Sequence, residues 1–125
     1  MKKVWLDTNF LMLPVQFKVD LFGELERLMN EPFEVVVPSG AVDELRIIAA
    51  RGTRDGAAAR VALKIVEAGK AKVVESSGKV DDWLVEKAGG GDVVCTNDLE
   101  LIRRLREIKV RRIQLRGKNH LDFAY

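Results

Sequence analysis

One cysteine and one histidine are all that 125 residues offer in the way of soft metal ligands. Cys95 alone excludes a disulfide within the chain and a cysteine zinc cluster. His120 alone excludes His-rich metal sites and argues against a Ser-His-Asp triad. Glutamine is scarce as well, with Gln16 and Gln114 the only two, while 32% of residues are charged, a balance that leans towards a heat-adapted source. No apolar run approaches the ~18 residues of a membrane span, so no membrane partner is expected. The N-terminus lacks the pattern of a signal peptide, and with one cysteine a cytoplasmic location is expected. What remains is 47% hydrophobic with no low-complexity stretch, the composition of one globular domain over residues 1–125 with a sizeable core.

The net charge is only +2, but it is unevenly spread. Residues 99–125 carry Arg103, Arg104, Arg106, Lys109, Arg111, Arg112, Arg116 and Lys118 against Glu100, Glu107 and Asp122, a net of +5. The rest of the chain is net −3. An acidic body with a basic C-terminal quarter fits a metal site beside a polyanion site, and it also fits solvated helix faces.

Apolar runs at Lys3–Leu6, Glu34–Val37, Lys72–Glu75, Asp92–Thr96 and Arg112–Leu115 predict five strands. Helical spacing predicts helices over Asp20–Met29, from Ser39 (as N-cap) to about Ala50, from after the turn-rich Arg51–Gly56 to about Gly69, over Val80–Ala88, and from Asn97 or Asp98 onward. The last ten residues read as a loop or loosely docked tail. The order β-α-β-α-α-β-α-β-α-β argues for an α/β fold, a three-layer sandwich around a largely parallel five-stranded sheet. Trp5, Trp83 and Cys95 fall on apolar patterns and read as core, His120 as a solvated loop residue, and Gly89–Gly91 as a turn rather than a phosphate loop.

In such sheets ligands bind beyond the carboxyl ends of the strands. Asp7 follows strand one, Glu44 lies one turn into the helix after strand two, Asp81 and Asp82 open the helix after strand three, and Asp98 follows strand four. Acids therefore arrive from four successive junctions on one sheet edge. No Lys or Arg is expected immediately beside them, and clustered carboxylates repel unless a proton or cation sits among them. An all-oxygen ligand set selects a hard divalent cation such as Mg²⁺ or Mn²⁺, which suits phosphodiester hydrolysis. Taken singly, Asp81, Asp82 and Asp98 also read as helix caps, Asp7 as turn chemistry and Glu44 as a solvated helix residue.

Four motifs in order carry a family resemblance: Val4-Trp5-Leu6-Asp7-Thr8-Asn9, Val42-Asp43-Glu44-Leu45, Asp81-Asp82-Trp83-Leu84 and Val93-Val94-Cys95-Thr96-Asn97-Asp98. Together they resemble the PIN-domain nucleases across almost the whole chain. Leu6–Phe10 and Gln16–Leu21, with Asn97–Arg106 and the basic strand that follows, resemble the archaeal and eukaryotic ribosome-biogenesis branch of that family.

The resemblance implies an endoribonuclease that hydrolyses single-stranded RNA, with precursor rRNA as substrate and ribosome-assembly proteins as partners. Asp7, Glu44, Asp81 and Asp98 would be catalytic and would hold one or two Mg²⁺ or Mn²⁺ ions. Thr8, Asn9, Asp82, Thr96 and Asn97 would orient them, and Arg103, Arg104, Arg106, Arg111 and Arg112 would hold the RNA backbone. It also implies a homodimer through exposed apolar residues such as Leu11, Met12, Leu13 and Phe17. A VapC-type toxin ribonuclease and a noncatalytic RNA-binding assembly factor are the alternatives. A phospho-receiver domain is disfavoured because strand three ends in Glu75-Ser76-Ser77, and an Asp-x-Asp phosphatase because Asn9 takes the second position.

Overall fold

The computed structural model describes residues 1–124. The elements run β1 (Lys2–Leu6), α1 (Thr8–Gln16), α2 (Leu21–Met29), β2 (Phe33–Pro38), α3 (Ser39–Ala49), α4 (Arg54–Glu67), β3 (Lys72–Val74), α5 (Val80–Lys87), β4 (Val93–Cys95), α6 (Leu99–Glu107), β5 (Arg111–Arg116) and β6 (His120–Phe123). They build one sheet of six strands in the order β3-β2-β1-β4-β5-β6. The first five strands are mutually parallel, and β6 returns antiparallel beside β5. The α/β sandwich is therefore as expected, with a sixth strand where a loose tail was read. Tyr125, the last residue of that tail, lies outside the described residues.

The core fills both faces of the sheet. Val4, Leu6, Val37, Val93, Val94, Cys95 and Ile113 have no exposed surface, as expected for parallel strands covered by helices. Trp5 and Trp83 are buried in a T-shaped pair with centroids 5.3 Å apart, which seats α5 against β1. Helix α5 also packs on α6, so the chain crosses from β3 at the sheet edge back over its centre.

Several local expectations change. Residues 8–16 form a helix despite Pro14, and Asp7 starts it by accepting the Phe10 N–H at 2.8 Å. Leu11, Met12 and Leu13 on that helix are buried, so they offer no dimer surface; Phe17 is partly exposed. Ser39 does not cap α3, where Pro38 holds the cap position. Its hydroxyl instead accepts the Ser76 N–H at 2.9 Å, while the Gly40 N–H donates to the Ser76 hydroxyl at 2.9 Å. The loops after β2 and β3 are thereby tied together. Val61 and Ile108, although they fall on the apolar spacing of α4 and α6, are substantially exposed.

The outer edge of β6 is covered rather than open. Glu24 of α2 accepts the Leu121 N–H at 2.9 Å, and Arg27 donates to the Leu121 carbonyl at 2.7 Å. Two side chains of one helix thus take the place of a further strand and satisfy an otherwise orphaned pair of backbone groups.

Candidate metal and nucleic-acid site

The order of the sheet reverses between β1 and β4, since β1 is followed on one side by β2 and on the other by β4. At such a switch point the outgoing loops part and leave a crevice at the carboxyl edge. Here the crevice is a cavity of about 470 Å³, lined by Asp7, Thr8, Asn9, Glu44, Lys79, Val80, Asp81, Asp82, Asp98 and Arg104. The four acids read from four separate junctions therefore face one space.

Each acid is placed by its own local structure. Asp7 ends β1, where its N–H reaches the Cys95 carbonyl at 3.3 Å, and its side chain caps α1. Glu44 comes from the exposed side of α3, and its carboxylate accepts the Thr8 hydroxyl at 2.6 Å. Asp98 caps α6 through the Leu101 N–H at 2.9 Å. Thr96, fully buried, accepts the Asp98 N–H at 3.1 Å and bonds to Asp7. Thr8 and Thr96 are thus the props of the site: one steadies Glu44, the other couples Asp7 to Asp98. Asp7 and Asp98 are at once helix caps and site residues, so for them the two readings do not compete, whereas Asp81 and Asp82, also read as caps, lie in the first turn of α5 and make no cap hydrogen bond.

The electrostatics follow from this crowding. Burial raises Asp7 to a pKa of about 6, helped by the charges of Asp81 and Asp98 and opposed by the bonds from Thr96 and Phe10. Asp81 is raised too, by desolvation first and then by Asp98 and Glu44. Carboxyl groups this strained favour a cation among them, and the all-oxygen donor set fits a hard divalent ion. Among the described residues no three such groups are yet drawn tightly enough around one point to hold it. Glu44 and Asp98 each commit one oxygen to a hydrogen bond and retain the other.

The remaining residues are sorted by the fold. Asp82 turns to Arg104, which donates to it at 2.8 Å, so Asp82 anchors a cation at the rim of the cavity. Lys79 lines the cavity as well. Both corrections concern bases, since none was expected beside the junctions. Lys79 was visible two residues before Asp81, whereas Arg104 reaches the site only because α5 and α6 are neighbours. Asn9 lines the cavity, but Asn97 turns away and accepts the Leu115 N–H of β5 at 2.8 Å.

Arg103 is exposed and paired with both Glu100 and Glu107 of its own helix. Arg106 lies in the last turn of α6, and Arg111 starts β5 with its guanidinium 4.1 Å from the Phe123 ring. Because α6 starts at the cavity and runs away from it, Arg106 and Arg111 stand at the opposite edge of the sheet. Arg112 is buried, donating to the carbonyls of Val110 at 2.8 Å and Ala124 at 3.1 Å. It is a core strut with no surface to present to RNA.

Comparison with known proteins agrees with this geometry. The sequence pattern of the family described as "PIN like domain" matches residues 4–118. Ribonuclease VapC4 of Methanocaldococcus jannaschii is 29% identical over 126 residues, covering 98% of this chain and 96% of that protein. The solved structure of the PIN domain endonuclease Utp24 is similar with a TM-score of 0.80 at 24% identity, over 97% of this chain and 90% of that one. A domain of a functionally unknown protein from Methanocaldococcus jannaschii has a TM-score of 0.63 at 19% identity, over 94% and 93% of the two chains. At these identities the two structures share the fold.

Proposed function

This chain belongs to the PIN-like domain family, and from that premise we propose that it is a divalent-metal-dependent endoribonuclease acting on single-stranded RNA. The observation that carries the reading is the convergence of Asp7, Glu44, Asp81 and Asp98, from four junctions, on one open cavity at the switch point of the sheet. The relatives named as a ribonuclease and as an endonuclease support the same reading.

In this reading Asp7, Glu44, Asp81 and Asp98 hold one or two Mg²⁺ or Mn²⁺ ions. Such an ion, when bound, supplies Lewis-acid polarisation of a phosphoryl oxygen and lowers the pKa of water. The chain's own residues do the rest. Thr8 fixes the Glu44 carboxylate, and Thr96 fixes Asp7 relative to Asp98. Asp82 holds Arg104 at the rim, where its guanidinium and the Lys79 ammonium attract the RNA phosphates toward an otherwise acidic cavity. Precursor rRNA is the substrate that the motifs resembling the ribosome-biogenesis branch favour.

The test is incubation of the purified protein with single-stranded RNA carrying a precursor-rRNA cleavage site, with Mn²⁺, with chelator, and beside Asp7→Asn. Cleavage that needs the metal and vanishes in the variant is the expected result. Cleavage indifferent to chelator or to the substitution overturns the mechanism, and binding without cleavage under either metal would make the protein a scaffold.

A further inference from the structure

The basic C-terminal quarter starts at the carboxylate site, leaves it, and comes back. Helix α6 carries its arginines away from the cavity edge, and β5 returns parallel to β4 toward it. Strand β4 ends at Cys95, opposite Ile113, but β5 continues through Gln114, Leu115 and Arg116. At ~3.3 Å per residue the β5 arm reaches about 10 Å beyond the end of β4. It then turns through Gly117, whose φ of +62° suits glycine, and comes back as β6 with Arg116 opposite His120. The tip of this hairpin therefore stands past the same sheet edge on which the carboxylate cavity opens.

The overhang is built, not loose. Beyond the end of β4 the Leu115 N–H has no strand to pair with, and the Asn97 side chain takes it at 2.8 Å. Asn97 directly precedes Asp98, so one dipeptide both steadies the arm and supplies a site carboxylate. On the other side the Glu24 and Arg27 side chains clamp Leu121. The tip itself is cationic. Lys118 and His120 are exposed, and among the described residues neither they nor Arg116 form an ion pair with a carboxylate. With its amide turned so that the oxygen faces Arg116, the Gln114 side chain accepts from that guanidinium at 3.0 and 3.2 Å and orients it. Asp122, the acid on this hairpin, sits opposite Gln114, back from the tip.

The geometry points to the β5–β6 hairpin as the arm that holds the phosphodiester backbone of a single-stranded RNA lying across the carboxylate cavity, with Arg116, Lys118 and His120 on its phosphates. The inference rests on the ribonuclease reading for the identity of the polyanion. It replaces Arg106, Arg111 and Arg112, which the fold carries to the far edge or into the core. Only β4 and its following loop separate the arm from Asp7, so at ~4.8 Å per strand the lateral step is about 10 Å, within reach of a strand a few nucleotides long. Contacts to phosphate position the strand without reading its sequence.

The experiment is an anisotropy titration of a fluorescently labelled oligouridine in chelator, repeated over a range of KCl concentrations. Wild type is compared with Arg116→Ala/Lys118→Ala, with Lys118→Glu alone as an exposed single substitution, and with Arg106→Ala/Arg111→Ala from the far edge. Circular dichroism checks that each variant is folded. The hairpin double variant is expected to bind several-fold more weakly. Its slope of log K against log salt should shrink by about 1.4, two phosphate contacts at about 0.7 each on a single strand. Lys118→Glu should lose affinity in the same direction, and the far-edge variant should bind as wild type does.

A hairpin variant with unchanged affinity and slope, or a far-edge variant that loses as much, overturns the arm. If wild type cleaves RNA while the hairpin variants bind it normally, the arm falls and the nuclease stands. Binding through the hairpin without cleavage under any metal does the reverse. Absence of RNA binding by wild type overturns both.

Discussion

Asp7 is the most constrained side chain of the site. It ends a central strand, caps a helix and is almost wholly buried, yet it is an acid. Because its folded pKa of about 6 lies above the ordinary 3.8, the unfolded chain releases this proton first. Stability is therefore greatest below the unfolded value, falls as pH rises from about 4 to about 6, and is level above that. The full cost is about 3 kcal/mol at 1.36 kcal/mol per pH unit. Asp7→Asn keeps an oxygen for the Phe10 N–H and removes the charge. In chelator at pH 8 the variant should be more stable than wild type by about 2 kcal/mol, less than the full cost because Thr96 must reorient its hydroxyl. Near pH 4 the gap should nearly close. Urea denaturation at both pH values checks this, and a gap of equal size at the two would show that ionisation of Asp7 is not its origin. A residue that weakens the fold at working pH is the signature of a site group rather than of a mere cap.

At the scale of elements, α4 shows how tightly the helices are laid down. Gly56 lies in its first turn, buried, and a Cβ there would stand 2.0 Å from the Arg51 carbonyl oxygen in the preceding loop. In an open helix Gly→Ala gains about 1 kcal/mol. Here the obstacle is backbone, and Gly56→Ala should instead destabilise by about 2–3 kcal/mol as the turn at Arg51 is forced aside. Thermal unfolding followed by circular dichroism measures it, and a variant as stable as wild type would mean the loop yields freely. The same dependence on neighbours explains which elements were legible in the sequence. Helices α2 and α6 show a clear apolar stripe because one face meets the sheet and the other meets water. Helix α1 shows none, being apolar nearly all round from Phe10 to Leu13 and interrupted by Pro14, as suits a helix buried on most sides. Strand β6 is four residues with a polar start, and its pairing comes from β5 and from Glu24 and Arg27 far away in sequence. Periodicity cannot reveal a strand made by such partners. The four acids were legible because each follows a strand, and parallel strands deliver their carboxyl ends to one edge. The fate of the arginines was not, since it depends on which way α6 runs and on backbone carbonyls that accept Arg112.

Across the whole molecule the charge map is organised by direction rather than by sequence distance. Acids gather where the parallel strands end, and the bases that serve that edge are Lys79, Arg104 and the β5–β6 tip. On the proposed metal-dependent reading, a cation entering the cavity relieves the burial and crowding that raise Asp7 and Asp81, so binding and folding are linked. A ligand that binds only the folded chain at 100 times its Kd adds about 2.7 kcal/mol. For a chain of 125 residues that corresponds to a rise of roughly 10 °C in Tm. Mn²⁺ and Mg²⁺, titrated at pH 8 with unfolding followed by circular dichroism, should both raise the Tm of wild type. Potassium at equal ionic strength should raise it far less, because monovalent screening of exposed carboxylates does not replace coordination of a hard divalent ion by several oxygens. Asp7→Asn should start from the higher Tm argued above and respond weakly to the divalent ions, so the two curves converge as metal is added. Asp82→Asn, which unpairs Arg104 without touching the four acids, should keep the response of wild type. Parallel curves for wild type and Asp7→Asn, or no rise with either divalent ion, would mean that these carboxylates do not hold the metal.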